Sequence, residues 1–213
     1  RRFSKICISR GDEARATQFN NYADALVKAA ENAWDGKWYR RGYFDSGAPL
    51  GSHESEECKI DSIAQSFAVL AGADKKRCKT ALQSAAEHLV DHEVGIAMLF
   101  KPPFRDSSEN PGYIMGYLEG VRENGGQYTH AAIWLAMAFL EYGLNNEGFD
   151  ILNMILPATH DEKIYRVEPY VLAADVYSNE HHRGRGGWSW YTGSSAWFYR
   201  VAVENLLGIV ISS

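Results

Sequence analysis

The 213-residue sequence has few cysteines, no long apolar run and no concentration of basic residues. Its 3 cysteines are an odd number and lack the Cys-x-x-Cys or Cys/His spacing of a disulfide framework or a structural zinc site. No run reaches the roughly 18 apolar residues of a membrane span, and no Gly-Lys-Ser or Gly-Lys-Thr forms a Walker loop. Because 27 acidic residues outnumber 22 scattered basic ones, giving a net charge of -5, the composition argues against a nucleic-acid ligand.

The sequence is rich in apolar and aromatic residues. Hydrophobic residues make up 46% of the chain, which is enough to bury the core of one globular domain over residues 1–213. Aromatic residues contribute 13%, including 6 Trp and 12 Tyr, and flat rings beside polar groups suit the faces of sugars. The odd number of cysteines and the lack of a disulfide spacing favour a reducing compartment, so we expect a cytoplasmic location.

Apolar residues recur at three- and four-residue intervals in several segments, as in amphipathic helices. The pattern predicts helices over residues 12–34, 61–71, 74–92, 127–142, 146–156, 169–177 and 194–207. The segment 127–142 is apolar all round and is therefore expected to be a central helix. An aromatic run at 34–47 predicts a short hairpin, and residues 94–126 predict a long ordered loop.

These elements predict an all-α fold, a toroid or bundle of paired helices whose long glycine-rich loops gather on one face. No internal repeat is visible in the sequence, which disfavours tetratricopeptide and armadillo arrays. A long loop inside a compact domain is usually functional, so the loops are where we expect the site.

A polar run at residues 122–130 leads directly into the central helix and is the first candidate site. The unpaired N–H groups of a helix N-terminus favour an anion, and the Gly-Gly pair in this run would let a ligand approach the backbone. His130, about one turn into the helix, can add a donor. The alternative is that Glu123 or Asn124 caps the helix and His130 is a hydrogen-bonded core histidine.

A second glycine-rich loop at residues 184–195 also leads into a helix. Hydroxyl and backbone N–H groups from Thr192 onward offer another cradle for an oxyanion or phosphate. Trp188, Trp190 and Tyr191 could stack on a sugar. The alternative is an N-capping hydroxyl with aromatic rings in the core.

Two other clusters are weaker candidates. Carboxylates at residues 54–57 and at Asp61 could act as acid and base at a glycosidic bond, although an acidic loop more often lies in solvent. His88 and His92 have the i, i+4 spacing of a metal pair, but no Glu follows His88 as in a zincin, so a surface helix is the preferred interpretation. We expect no metal site.

Several segments of the sequence resemble the C-terminal catalytic region of glycoside hydrolase family 94, the inverting disaccharide and oligosaccharide phosphorylases. The matching segments lie at residues 33–41, 47–52, 60–70, 122–132, 166–171 and 184–194. The Ile-Asp-Ser-Ile-Ala-Gln-Ser version at 60–66 is most similar to the β-1,2-glucan branch, which comprises the phosphorylase-like domain of cyclic β-1,2-glucan synthases and β-1,2-oligoglucan phosphorylases. The resemblance implies that the chain is the C-terminal portion of an (α/α)6 barrel.

The resemblance also implies how phosphate is held. By this likeness His130, Thr192 and Gly193 bind inorganic phosphate, with Ser194 as a neighbour. Two helix N-termini with added donors would suit a dianion held against an electron-poor carbon, where a hydrolase would place a second carboxylate.

Sugar contacts are implied in the same way. Arg122 and Glu123 fall where the family contacts the sugar in the acceptor subsite. We add Gln127 and Trp190 as further substrate contacts.

The family's reaction is attack by phosphate on the anomeric carbon while a carboxylic acid protonates the departing oxygen, with inversion. The implied general acid belongs to an Asp-Trp-Asn-Asp segment, with a phosphate-binding Arg further upstream. Neither occurs in this sequence, because Asp35 belongs to a later Trp-Asp-Gly element. We therefore expect no catalytic residue in this chain, inactivity of the chain alone, and a parent enzyme of which it is a C-terminal fragment.

The sequence thus predicts part of a carbohydrate phosphorylase that cleaves β-glucosidic bonds, β-1,2-linked glucan above all, and releases a sugar 1-phosphate. Inorganic phosphate is the co-substrate and no cofactor is expected. The expected partners are a glucan substrate, the N-terminal part of the parent and a second copy in a homodimer, and the parent could be membrane-bound with this domain in the cytoplasm. The alternative is a carbohydrate-binding or chain-length-controlling module of a cyclic β-1,2-glucan synthase, and a hydrolase or lyase on the same barrel is disfavoured.

Overall fold

The computed structural model describes residues 1–190 and 192–210. Its helices are α1 (Arg2–Ser9), α2 (Glu13–Ala30), α3 (Ser62–Ala71), α4 (Lys75–Leu89), α5 (Thr129–Tyr142), α6 (Asn145–Met154), α7 (Glu162–Tyr165) and α8 (Ser194–Val201). A π-helical turn, Ala202–Leu206, extends α8, and 3-10 turns lie at Glu31–Ala33, Gly112–Gly116 and Pro157–Thr159. The predicted all-α class is confirmed, and α1 is a helix that the periodicity did not predict.

The strands of the described residues are two-residue segments joined in antiparallel pairs. They are β1 (Gly42–Tyr43) with β2 (Pro49–Leu50), β3 (Ile60–Asp61) with β6 (Phe100–Lys101), β4 (Val90–Asp91) with β5 (Ile96–Ala97), and β7 (Gln127–Tyr128) with β8 (Asp175–Val176). The first pair, together with a bridge between Trp34 and Tyr39, gives the hairpin predicted after α2, displaced a few residues toward the C-terminus. Strand β7 immediately precedes α5, so its pairing with β8 fixes where that helix begins.

Side-chain and glycine caps define the helix ends. Asp61 caps α3 by accepting hydrogen bonds from the backbone N–H groups of Ile63 (2.7 Å) and Ala64 (3.4 Å). Asp74 caps α4 in the same way. Gly72 and Gly143 end α3 and α5 with φ of 80° and 96°, a left-handed conformation that glycine adopts without steric cost. These ends lie within a few residues of the predicted ones.

Helix α5 is the centre of the fold. It packs against α3, α6 and α8, and from Ala131 to Leu140 every residue except Trp134 is buried. The prediction of a central helix covered on both faces is therefore confirmed. By contrast, α2 buries Ala16 alone, and Tyr22 and Leu26 on its apolar side are exposed. No helix in the described part of the chain is long and apolar enough to cross a membrane.

One buried amide orders the long loop between β6 and β7. Asn124 is fully buried, and its side chain forms a two-way bridge with the backbone of Phe104, accepting from N (2.7 Å) and donating to O (2.9 Å). The same amide donates to the Tyr117 carbonyl at 2.9 Å. Because buried backbone groups need such partners, Asn124 closes the loop on itself and holds the turn at Val121–Asn124 in place.

The predicted helix over residues 169–177 is wrong. The segment is extended where it meets its neighbours: Ala173 bridges Ser189, and β8 pairs with β7. Its backbone groups are satisfied across these pairings, for example by the hydrogen bond from Gly187 N to Asp175 O at 2.8 Å. Tertiary pairing thus overrides the local periodicity.

A buried ionic cluster anchors the hairpin region. The Asp35 carboxylate accepts hydrogen bonds from Arg40 Nε, Ser52 Oγ and the His53 backbone N–H, each at 2.8 Å, and its Oδ2 lies 2.7 Å from His53 Nδ1. Burial pushes the pKa of Asp35 up, but these hydrogen bonds outweigh it and hold the pKa below its usual value. The Trp-Asp-Gly element is thereby a structural one.

Candidate functional site

Three separate chain segments line one cavity of about 610 Å³, a size suited to a small ligand. The lining residues come from the 122–130 run, the start of β8 with the residue before it, and the 188–193 loop: Arg122, Glu123, Tyr128, His130, Ala174, Asp175, Trp188, Trp190, Thr192 and Gly193. Six of the eight candidate residues from the sequence therefore lie at one site. The other two, Gln127 and Ser194, do not line it.

His130 and Gly193 join the two candidate loops. His130 lies in the first turn of α5, and a Cβ at residue 193 would be 3.2 Å from its Cε1 and 3.3 Å from its Nε2. A larger residue would crowd the imidazole, so glycine allows this close approach. Burial lowers the pKa of His130, which makes the neutral ring the resting form near neutral pH.

The N-terminus of α5 keeps donors for an anion. The N-cap is Tyr128, whose side chain makes no cap hydrogen bond, so neither Glu123 nor Asn124 caps this helix. The Thr129 N–H donates to the Ala174 carbonyl at 2.9 Å. The next N–H groups of the first turn have no acceptor within the helix, as in any α-helix. The positive end of the helix dipole lies at the same turn.

Ser194 orients the Thr192 hydroxyl. Thr192 Oγ1 donates to Ser194 Oγ (2.6 Å) and accepts from Ser194 N (3.0 Å). Ser194 is fully buried at the start of α8, so it fixes the Thr192 hydroxyl instead of facing the cavity. Tyr191, the other sugar-stacking candidate of this loop, lies outside the described residues.

Gln127 has a structural role, contrary to the expected sugar contact. It is 1% exposed, and its Oε1 accepts a hydrogen bond from Ala97 N at 2.9 Å. The amide joins β7 to β5. A buried amide in this position satisfies a backbone donor that would otherwise be unpaired.

The Gly-Gly pair serves backbone packing, contrary to the expectation that it admits a ligand. A Cβ at Gly126 would lie 2.9 Å from the Arg122 carbonyl oxygen and 3.2 Å from that of Val176. A Cβ at Gly125 would lie 3.0 Å from Pro103 Cβ. Both glycines therefore let the turn that carries Arg122 press against β8 and the long loop.

Arg122 is held over an aromatic ring. Its guanidinium carbon lies 4.2 Å from the ring centroid of Trp188 and 5.7 Å from that of Tyr117, distances typical of cation–π contacts. Its backbone φ is 51°, unusual for a residue other than glycine, asparagine or aspartate. The neighbouring Glu123 has a buried Oε2 with no hydrogen-bond partner among the described residues. The turn thus presents one cation and one carboxylate to the cavity.

Asp175 is a cavity residue that the sequence did not reveal. It is 2% exposed, and its Oδ1 accepts from Trp188 N at 3.3 Å, while Oδ2 has no hydrogen-bond partner among the described residues. Burial raises the pKa of Asp175, and the Trp188 amide and the Arg122 charge offset this only in part. The mistaken helix over 169–177 hid it, because a strand pairing with Tyr128 is what turns it toward the site.

The remaining candidates lie elsewhere. Asp61 is the buried cap of α3, its Oδ2 is 3.5 Å from Arg41 Nε, and burial raises its pKa. The 54–57 carboxylates border a different cavity of about 660 Å³. Among residues 1–190 and 192–210, no three His, Cys, Asp or Glu side chains are grouped as a metal site would need.

The sequence matches the family model of a catalytic domain over almost its whole length. The model described as "Glycosyl hydrolase 94 superfamily, catalytic domain" matches residues 1–208. The chain belongs to this family. The family 94 resemblance drawn from the sequence motifs is therefore confirmed.

Similar family 94 proteins include synthases and phosphorylases. The chain is 48% identical, over 98% of its length, to 8% of the cyclic beta-(1,2)-glucan synthase NdvB of Rhizobium meliloti (strain 1021). It is 31% identical, over 92% of its length, to 26% of the solabiose phosphorylase of Paenibacillus borealis. It is 27% identical, over 97% of its length, to 26% of the N,N'-diacetylchitobiose phosphorylase of Vibrio furnissii. The chain thus spans about a quarter or less of each of these relatives.

Proposed function

We propose that this chain supplies the phosphate-binding and acceptor-binding side of a glycoside phosphorylase that acts on β-glucosides. The observation that carries the proposal is the meeting of His130 and the Thr192–Gly193 loop at the wall of a cavity that Arg122 and Glu123 also line. An anion site and a polar sugar site lie side by side there. A phosphorylase needs that adjacency, because its nucleophile and its sugar share one pocket.

Phosphate would be bound by donors on two chain segments. The first-turn N–H groups of α5 and the His130 imidazole can donate to phosphate oxygens. The Thr192 hydroxyl can donate as well once its bond with Ser194 reverses, so that Ser194 Oγ donates to Thr192 Oγ1. One phosphate oxygen then forms the bond to the anomeric carbon while the glycosidic bond breaks on the opposite face, so the configuration inverts. A general acid outside this chain gives its proton to the departing oxygen. The products are a sugar 1-phosphate and a shortened acceptor.

Arg122 and Glu123 suit the acceptor sugar. The guanidinium is fixed over Trp188, and Glu123 lines the cavity beside it with a carboxylate that can accept a hydrogen bond from a sugar hydroxyl. The similarity to a protein named cyclic beta-(1,2)-glucan synthase supports a β-1,2-linked glucan as substrate. A cytoplasmic location and a homodimer stay predictions.

The test is an assay of the full-length protein that contains this chain. Linear β-1,2-glucooligosaccharides are incubated with and without inorganic phosphate, and release of glucose 1-phosphate is followed. We expect release that depends on phosphate. We also expect His130→Ala and Thr192→Ala to raise the KM for phosphate far more than the KM for sugar, because each removes a donor to a buried dianion. His181→Ala and Thr17→Ala, at exposed positions, are the matched controls.

A second candidate function is a carbohydrate-binding or chain-length-controlling module of a glucan synthase, without turnover of its own. The 48% identity to NdvB, of which this chain matches 8%, favours it. It predicts saturable binding of β-1,2-glucooligosaccharides with no glucose 1-phosphate at any phosphate concentration. Phosphate-dependent release would exclude it.

A further inference from the structure

The buried carboxylate of Asp175 connects the two chain segments that carry Arg122 and Trp188. Asp175 belongs to β8, where it is 2% exposed, and its Oδ1 accepts the hydrogen bond from Trp188 N at 3.3 Å. The backbone N–H and the guanidinium charge of Arg122 act on the same carboxylate and favour its ionised form. One side chain thus interacts with both members of the cation–π pair, in which the Arg122 guanidinium carbon lies 4.2 Å from the Trp188 ring centroid.

Both members of this pair depend on support from their surroundings. Arg122 has a φ of 51°, a left-handed conformation that a residue other than glycine keeps only where neighbouring groups hold it. The Trp188 ring is half exposed, but its backbone is held at both ends, because its N–H donates to Asp175 and its carbonyl accepts from Ala174 N. An arginine side chain loses much rotamer freedom over a ring, and a nearby negative charge offsets part of that cost.

The position of the carboxylate is itself fixed. A Cβ at Gly187 would lie 2.2 Å from Asp175 Oδ1 and 2.7 Å from Oδ2, so only glycine leaves room for this side chain. Across β7 and β8, Asp175 pairs with Tyr128. Asp175 borders the cavity but is almost fully buried, so its effect on a ligand is exerted through the more exposed groups that it holds.

We propose that Asp175 is a positioning residue for the acceptor sugar, which keeps the Arg122 guanidinium over Trp188 in the orientation that binds sugar hydroxyls. The inference rests on the proposed function and deepens it, because it concerns the acceptor side of the same site. The donors proposed for phosphate belong instead to α5 and to the loop at residues 192–193. Loss of Asp175 should therefore weaken sugar binding but not anion binding, since removing a negative charge does not repel an anion.

The test separates sugar binding from anion binding. The full-length protein and its Asp175→Asn and Arg122→Gln variants are titrated calorimetrically with the β-1,2-linked glucose disaccharide and, separately, with sulfate. We expect Asp175→Asn, which keeps the shape of the side chain but not its charge, to weaken disaccharide binding about three- to tenfold. Sulfate binding should not weaken. In the Arg122→Gln background, Asp175→Asn should have no further effect on the disaccharide, because Asp175 acts through Arg122.

Two further variants separate positioning from general stability. Gly187→Ala moves the carboxylate without removing it, so it should also weaken disaccharide binding and leave sulfate binding intact, even where Asp175→Asn folds poorly. Asp35→Asn is the matched control, because it neutralises another buried, hydrogen-bonded carboxylate, in the hairpin region. It should lower stability and leave disaccharide affinity unchanged.

The outcomes that overturn the positioning role are distinct from those that overturn the phosphorylase. An equal loss of disaccharide affinity in the wild-type and Arg122→Gln backgrounds, or a parallel loss of sulfate affinity, would show that Asp175 supports the fold in general. Unchanged disaccharide affinity in folded Asp175→Asn or Gly187→Ala protein would also reject the role. The expected binding losses without phosphate-dependent release of glucose 1-phosphate would reject the phosphorylase and keep Asp175 as a positioning residue for sugar.

Discussion

The carboxylate of Asp175 occupies the space that a side chain at residue 187 would need. A Cβ at Gly187 would lie 2.2 Å from Asp175 Oδ1 and 2.6 Å from its Cγ. The same carboxylate oxygen accepts the hydrogen bond from Trp188 N at 3.3 Å. Gly187 and Asp175 therefore set the position of the loop that carries Trp188 beneath Arg122.

Gly187→Ala should destabilise the protein by about 1–3 kcal/mol, the usual cost of overpacking a buried site. Urea unfolding of the two proteins measures this. Gly116→Ala is the control, because a Cβ there meets nothing within 4 Å. In an Asp175→Ala background the cost of Gly187→Ala should shrink, since the clash partner is gone. Strictly additive effects in that double-mutant cycle would contradict the steric relationship.

Asp35→Asn should cost about 3 kcal/mol at pH 7, because a buried carboxylate bonded to Arg40, Ser52 and His53 loses its charge. The pKa of Asp35 is lower in the folded state than in the unfolded one, so its stabilisation is present above the unfolded pKa of about 3.9. It is lost as the pH falls through the folded pKa.

Urea unfolding at a series of pH values checks this dependence. The difference in unfolding free energy between wild type and Asp35→Asn should still be present at pH 5 and should narrow below about pH 4. Asp45→Asn, at an exposed position, should show no such difference. A difference in unfolding free energy that grows toward low pH would contradict a lowered pKa of Asp35.

The helical frame was predictable because its signals are local. The apolar period of α5 and the caps Asp61 and Asp74 are each contained within a few consecutive residues. The helix prediction for residues 169–177 was wrong because the conformation of this segment depends on pairing with β7, more than 40 positions earlier in the sequence. Long-range pairing leaves no local pattern to read.

The candidate site was predictable from the sequence only in part. Motif resemblance pointed to His130 and Thr192, and the structure places both at one cavity. It could not reveal Asp175, whose approach to the site comes from strand pairing. Our own addition of Gln127 as a sugar contact was wrong, because its amide is turned inward to Ala97. Which way a polar side chain points at the start of a helix depends on packing that the sequence does not display.

Ser194→Ala should weaken phosphate binding without removing any group that lines the cavity. The buried Ser194 hydroxyl accepts from Thr192 Oγ1 at 2.6 Å. When phosphate takes the Thr192 proton, we expect the Ser194 hydroxyl to donate to Thr192 Oγ1 instead, so its loss removes the group that orients the Thr192 proton toward phosphate. We expect the KM for phosphate to rise about three- to tenfold, as for one lost hydrogen bond. Sugar KM should be unchanged. Thr192→Ser, which keeps the hydroxyl, should be milder than Thr192→Val, and equal losses in the two would contradict a donor role for Thr192.

The protonation of His130 gives the sharpest test of the anion site. Burial lowers its pKa, so the ring is neutral near pH 7, but an anion beside it favours the charged form and raises that pKa. Anion binding must therefore strengthen as the pH falls. Phosphate is unsuitable as the probe because it changes its own charge near neutral pH, whereas sulfate stays a dianion.

Sulfate inhibition against phosphate should tighten steadily between pH 8 and pH 5.5 in the wild-type full-length protein. His130→Gln keeps a donor of similar reach but cannot gain a proton, so its sulfate affinity should be flat over the same range. A slope that persists in His130→Gln would place the titrating group elsewhere. A flat wild-type profile would mean that the imidazole does not face the anion, and Gly193 would then be close to His130 for packing alone.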